Sequence, residues 1–215
     1  MNVMLLSDVE DPYFWDFYSK DKVADVDLFV SCGDLKAAYL EFLVTMANKP
    51  VLYVRGNHDT AYQKNPPGGC DCIDDQVVVV KGLRIAGLGG SMRYNEEGVY
   101  MYSEKEMSKR VRKLKKKIRK VGGLDLLVTH APAKGFGDRD DLAHSGFKCF
   151  SEILDEYHPA VMAFGHVHRD YGGFQREYTY SDETQIINAF GHYGIEMKPG
   201  APENETSGRR RLFGR

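Results

Sequence analysis

Hydrophobic positions in this chain come in short runs, and five of the runs stop on a polar residue: VMLLS before Asp8, LFVSCG before Asp34, LYVRG before Asn57-His58-Asp59, LLVT before His130, and VMAFG before His166-Val167-His168. Runs this short, apolar at consecutive positions, predict strands buried on both faces. Around them the first half alternates: strands over 2–7, 27–32 and 51–55, an aromatic helix or turn near 13–23, and a helix over 36–48. Val77–Val80 and Leu83–Leu88 predict two strands joined at Lys81-Gly82, a tight hairpin. From about 103 to 121, Met107, Val111, Leu114 and Ile118 recur at spacings of four, three and four, which predicts a helix with one docked face, closed by Gly122-Gly123. A strand over 124–129, a helix over 147–157, a strand over 160–164 and strands near 171–180 and 185–190 follow. This order predicts an α/β fold in which two packed sheets are flanked by helices, rather than one wound sheet.

The 215 residues suit a single domain, expected over 1–198, with a Pro, Gly and charge-rich tail from 199 to 215 expected to be flexible. Hydrophobic content of 42% and charge of 28% are ordinary for a globular protein, and no run approaches a membrane-spanning length. The chain enters its first strand at once, without a basic leader, and Cys32, Cys70, Cys72 and Cys149 lack a disulfide framework spacing. Both features point to a cytoplasmic protein. Net charge is −2, so the chain as a whole is not built for a polyanion. Its basic block from Lys105 to Lys120 reads first as the solvated face of the docked helix, with a nucleic-acid contact as the less favoured reading.

Strands of an open α/β sheet present ligand-binding residues at their carboxyl ends. Carboxylates, an amide and imidazoles gathered there make a mixed oxygen and nitrogen donor set, suited to Mn²⁺, Fe or Zn²⁺ rather than to Ca²⁺. The chain therefore reads as a metal-dependent hydrolase.

Asp8, Gly33-Asp34, Gly56-Asn57-His58-Asp59, His130 in THAP and Gly165-His166-Val167-His168 resemble, in order, the five signature motifs of the calcineurin-like metallophosphoesterases. The resemblance implies a two-sheet sandwich with helices outside (α/β/β/α) and two divalent metal ions, Mn²⁺ first, with Fe, Zn²⁺ or Mg²⁺ as alternatives. It implies Asp34 as the carboxylate shared between the ions, Asp8 and His168 on one ion, and Asn57, His130 and His166 on the other. His58 matches the catalytic histidine beside the leaving-group oxygen, and Asp59 would orient that imidazole or its loop. The implied reaction is attack of a metal-bridging hydroxide on phosphorus.

One position departs from the pattern. The family has D-x-H where this chain has Asp8-Val9-Glu10. Glu10 either supplies an oxygen ligand, if strand geometry carries it to the same face as Asp8, or points away and leaves that metal weakly held. Beyond the motifs, Arg93 either clamps a phosphate or pairs with Glu96, and Asp138, Asp141 and His144 either face the metals or the substrate or belong to their loop, which the Asp side chains would cap. The cluster Tyr13, Phe14, Trp15, Phe17 and Tyr18 either stacks an aromatic substrate group or packs on the core. With no cap domain in so short a chain, a phosphodiesterase acting on a small or nucleotide phosphodiester is the favoured reading. The alternatives are a phosphomonoesterase or protein phosphatase, and a non-catalytic metal-binding module with a weakened first site.

Overall fold

Each apolar run forms a strand, and two main sheets result, beside a two-stranded one. The computed structural model describes residues 1–169 and 173–200. Its strands are β1 (Asn2–Ser7), β2 (Leu28–Ser31), β3 (Val51–Tyr53), β4 (Asp71–Cys72), β5 (Val77–Val80), β6 (Leu83–Leu88), β7 (Ser91–Met92), β8 (Met101–Tyr102), β9 (Leu126–Thr129), β10 (Val161–Phe164), β11 (Glu177–Thr179), β12 (Gln185–Asn188) and β13 (Gly191–Glu196). The α-helices are α1 (Ala37–Ala47), α2 (Glu104–Lys120) and α3 (Ser151–Tyr157). One sheet runs β13-β1-β2-β3-β4 and the other β11-β12-β10-β9-β6-β5. In the first, β1 to β4 are parallel and β13 is antiparallel to β1. In the second, β12, β10, β9 and β6 are parallel, with antiparallel β11 and β5 at the edges.

Alternation along the strands builds three apolar layers. Val3 and Leu5 of β1 meet Leu126 and Val128 of β9 and Ala163 of β10 between the sheets. Leu6 faces outward with Phe29 and Tyr53 onto Tyr39, Leu40 and Leu43 of α1. On the far side, Leu127, Met162 and Phe164 pack against Met107, Val111, Leu114 and Ile118 of α2 and against α3. The order is helix, sheet, sheet, helix, as expected.

Local chemistry places most boundaries. Lys81 and Gly82 both take positive φ, at 49° and 86°, as a two-residue hairpin requires. Ser103 opens α2 with a capping box closed by Glu106. The basic face of α2 is partly neutralised within the fold, because Arg110 reaches Asp75 at 2.9 Å and Lys115 reaches Glu156 at 2.6 Å. The segment over 13–23, expected as a helix or turn, forms turns and a 3₁₀ helix at Lys20–Val23. Three expectations need correction. The helix expected from 147 begins as a 3₁₀ turn, Lys148–Phe150, before α3. The strand expected over 171–180 is confined to Glu177–Thr179, part of that span lying outside the described residues. Finally, β13 is a strand that the pattern did not announce, because its residues are half-buried or exposed rather than an apolar run. Of the expected tail, 201–215 lies outside the described residues, while the Gly200 N–H donates to Asp125 at 2.8 Å. Among the described residues no helix is long and apolar enough to cross a membrane.

Candidate metal centre

Parallel register brings the ends of β1, β2 and β3 to one rim, and the ends of β9 and β10 face them from the second sheet. Within the second sheet the Gly165 N–H donates to His130 O at 2.9 Å. Across the rim, His130 Nδ1 lies 2.8 Å from Cys32 O and so joins the two sheets. The His166 N–H donates to both Asp8 carboxylate oxygens, at 3.0 and 2.9 Å.

Three of the motif residues sit in the left-handed region: Asp8 at φ 65°, Asp34 at 56° and His166 at 69°. Such backbone costs about 1–3 kcal/mol per residue and persists only where surrounding contacts impose it. Here it turns the chain at the strand exit so that the side chain faces the rim. The glycines beside these residues have a steric reason. A Cβ on Gly56 would lie 2.0 Å from Asp34 Oδ1, and one on Gly165 would lie 1.9 Å from Ser7 Oγ and 2.7 Å from Asp8 Oδ2.

The structure brings Asp34, His130 and His166 together, with one ligand atom of each within 4.8 Å of the others. Asp34 Oδ2 lies 3.2 Å from His130 Nε2, and Asn57 Oδ1 lies 3.0 Å from the same nitrogen. Beside this group, His168 Nε2 is 3.3 Å from Asp8 Oδ1. Asn57, His130 and His166 are buried, and His168 remains partly open.

Charges in the cluster set one another. Burial disfavours the Asp34 carboxylate, but the charge and hydrogen bond of His130 outweigh it and hold its pKa at about 2. Burial likewise opposes protonation of His130, yet Asp34 raises it to about 9. Burial and then the charge of His130 push His166 down to about 4. The hydrogen bond to Asp8 raises His168. Burial and the nearby Asp34 charge lift Asp59 to about 6. Asp59 accepts from Gly56 N at 2.7 Å and Asp34 N at 2.9 Å, so it braces the two loops.

His58 is exposed, with its N–H on Asp34 Oδ1 at 2.8 Å. It lines a cleft of about 340 Å³ with Asp34, Leu35, Ala61 and Tyr62. A second cleft of about 260 Å³ lies on the side of the other sheet, lined by His168, Arg139, Phe174, Tyr178 and Asn188.

Glu10 lines the same cleft as Asp34 and His58, where its carboxylate accepts from Lys36 N at 2.9 Å and pairs with Lys36 Nζ at 3.3 Å. The positive φ of Asp8 breaks the strand geometry that would have carried residue 10 to the face of residue 8. Arg93 pairs with Glu106 at 3.0 Å rather than with Glu96 and donates to Met101 O, clamping the start of α2. His144 sits near the cluster, its ring 5.1 Å from that of His166 and its Nδ1 2.8 Å from Asp141. Asp138 caps its loop through Gly135 N and Gly146 N. Phe14, Trp15 and Tyr18 pack on Phe29, Tyr39 and Phe42, the core alternative. Motif reading missed Tyr94, whose hydroxyl accepts from Asn57 Nδ2 at 3.2 Å.

A family model for calcineurin-like phosphoesterases matches residues 1–170. One solved crystal structure, 16% identical, aligns with a TM-score of 0.65 over 90% of this chain and 94% of that chain. The crystal structure of TT1561 of Thermus thermophilus, 14% identical, aligns at 0.60 over 88% of this chain and 89% of its own. At these identities the likeness shows a shared fold. No curated protein sequence matches the chain. The residues present fit the divalent cations that this family holds. A carboxylate and two imidazoles converge, and backbone carbonyls of Cys32 and Ala143 fix the two rings from behind, as metal-binding histidines require.

Proposed function

The chain belongs to the calcineurin-like phosphoesterase family, and from that premise we propose that it is a phosphodiesterase acting on a small or nucleotide phosphodiester. The observation that carries this reading is the pair of clefts, one opening at Asp34 and His58 and the other at His168. A diester has two organic substituents flanking one phosphorus, and a centre between two clefts suits it better than a monoester.

In this reading Asp34 would be shared between two ions, Asp8 and His168 would hold one, and Asn57, His130 and His166 would hold the other. Bound divalent cations, Mn²⁺ first and Fe, Zn²⁺ or Mg²⁺ as alternatives, would neutralise phosphoryl charge and activate water. The residues of the chain do the rest. His58, exposed in the cleft of about 340 Å³, gives its proton to the departing oxygen, so the leaving group lies on that side. Asp59 holds the two loops in register through the Asp34 and Gly56 amides. The retained substituent occupies the cleft beside Phe174 and Tyr178.

The engagement of Glu10 by Lys36 favours a second reading, a metal-binding module whose first site is too weak for turnover. One experiment separates the two. Metal-stripped protein is given Mn²⁺ and offered a chromogenic diester and the matching monoester. Faster diester hydrolysis that falls about 10²-fold or more in His58→Ala supports the proposal. Faster monoester hydrolysis moves the assignment to a phosphomonoesterase, and no turnover with Mn²⁺, Fe²⁺ or Zn²⁺ moves it to the binding module.

A further inference from the structure

Tyr94 is out of place as a core residue, since 40% of it is exposed to solvent. Its hydroxyl nevertheless reaches the buried Asn57 amide at 3.2 Å. The segment that leads into it is tied down at several points. Gly89 N donates to Asp74 at 2.7 Å and Gly90 N to Arg55 O at 2.7 Å, while Arg93 N donates to Tyr102 O at 3.0 Å and its guanidinium pairs with Glu106. Asp74 also binds the Arg55 side chain at 3.0 Å, two residues before Asn57. The loop bearing the tyrosine and the loop bearing the amide therefore share one anchor.

We propose that Tyr94 is a positioning residue that fixes the Asn57 amide with its oxygen toward the metal centre. The proposal rests on the assignment of Asn57 as a ligand. A carboxamide has two faces of nearly equal shape, and only the oxygen face can bind a cation. The inward face already carries Oδ1, 3.0 Å from His130 Nε2. The outward Nδ2 needs an acceptor, because a buried N–H left without one costs free energy. The tyrosine hydroxyl supplies that acceptor without adding a charge that would compete for the ion. Partners of this kind behind a ligand typically change metal affinity by about 10- to 100-fold.

The test is a calorimetric titration of Mn²⁺ into metal-stripped full-length protein, wild type and Tyr94→Phe, together with thermal midpoints in chelator. The expected result is about tenfold weaker binding of one ion in Tyr94→Phe with an unchanged metal-free midpoint. Asn57→Asp supplies the second arm: with no Nδ2 to hold, adding Tyr94→Phe should weaken binding by less than about threefold. Equal affinity in wild type and Tyr94→Phe overturns the proposal, as does the same loss in the Asn57→Asp background. A midpoint that falls together with affinity assigns Tyr94 a structural role instead. Wild-type protein that binds no Mn²⁺ overturns the site assignment itself, along with what rests on it.

Discussion

The two ends of the sandwich solve the problem of buried charge differently. At the base, where β6 and β9 begin, Asp125 meets Arg84 through Nη2 at 2.6 Å and Nε at 2.9 Å, both residues being buried. At the rim, Asp34 meets His130 at 3.2 Å. A guanidinium keeps its charge at every accessible pH, so the base pair is permanent. An imidazole can release its proton, so the rim pair can be dissolved when a cation arrives. The same anion therefore serves stability at one end and exchange at the other.

Breaking the rim should give the largest effect. Asp34→Asn removes the carboxylate proposed to be shared, and we expect loss of bound metal by elemental analysis and a fall in the proposed diester hydrolysis of about a thousandfold, roughly 4 kcal/mol. Breaking the base should instead cost stability. Asp125→Ala removes the carboxylate that meets Arg84 at the base, and urea unfolding at pH 7 should show a loss of about 3 kcal/mol with metal content unchanged. Arg84 holds the Asp125 carboxyl below its ordinary value against the opposing effect of burial. That contribution is present above the unfolded value near 3.8 and disappears as pH falls through the lower folded value, so the mutant and wild-type curves should converge in acid.

The exchange argument has its own signature. His130 carries its proton up to about 9 in the metal-free protein, so at pH 7 metal must displace it. Affinity for Mn²⁺ should rise about tenfold per pH unit from 7 and flatten near 9, with about one proton released in buffer-dependent calorimetry. A pH-independent affinity would remove the contrast with the base. The smallest effect is expected at Glu10. Because its carboxylate is held by Lys36, Glu10→Ala should change Mn²⁺ affinity by less than about threefold; a tenfold loss would place Glu10 at the metal after all.

Much of this was legible in the residues because burial and chemistry pull on different positions. A strand covered on both faces must be apolar throughout, so Asp8, Asp34, His130 and His166 stand out at the exits. The docked face of α2 and the Lys81-Gly82 turn were equally plain, since each obeys a local rule. What was hidden depended on geometry that no local rule encodes. The direction of Glu10 turns on the φ of Asp8, and the role of Tyr94 depends on a partner 37 positions away. Strand β13 escaped because an edge strand exposed on one side needs no apolar run.

That strand also shapes how the molecule comes into being. Asn2 pairs with Glu196 and Ser7 with Gly191, so one edge of β1 stays uncovered until nearly the whole described chain has been synthesised. The rim is similarly late, because the backbone of His166 completes the seat of Asp8 across 158 positions. Contacts this distant in sequence slow folding and prolong the life of sticky intermediates on the ribosome. A fragment stopping before His166 would carry the first four motifs without the residues that complete the centre, so metal capture would report that the first and last motifs have met.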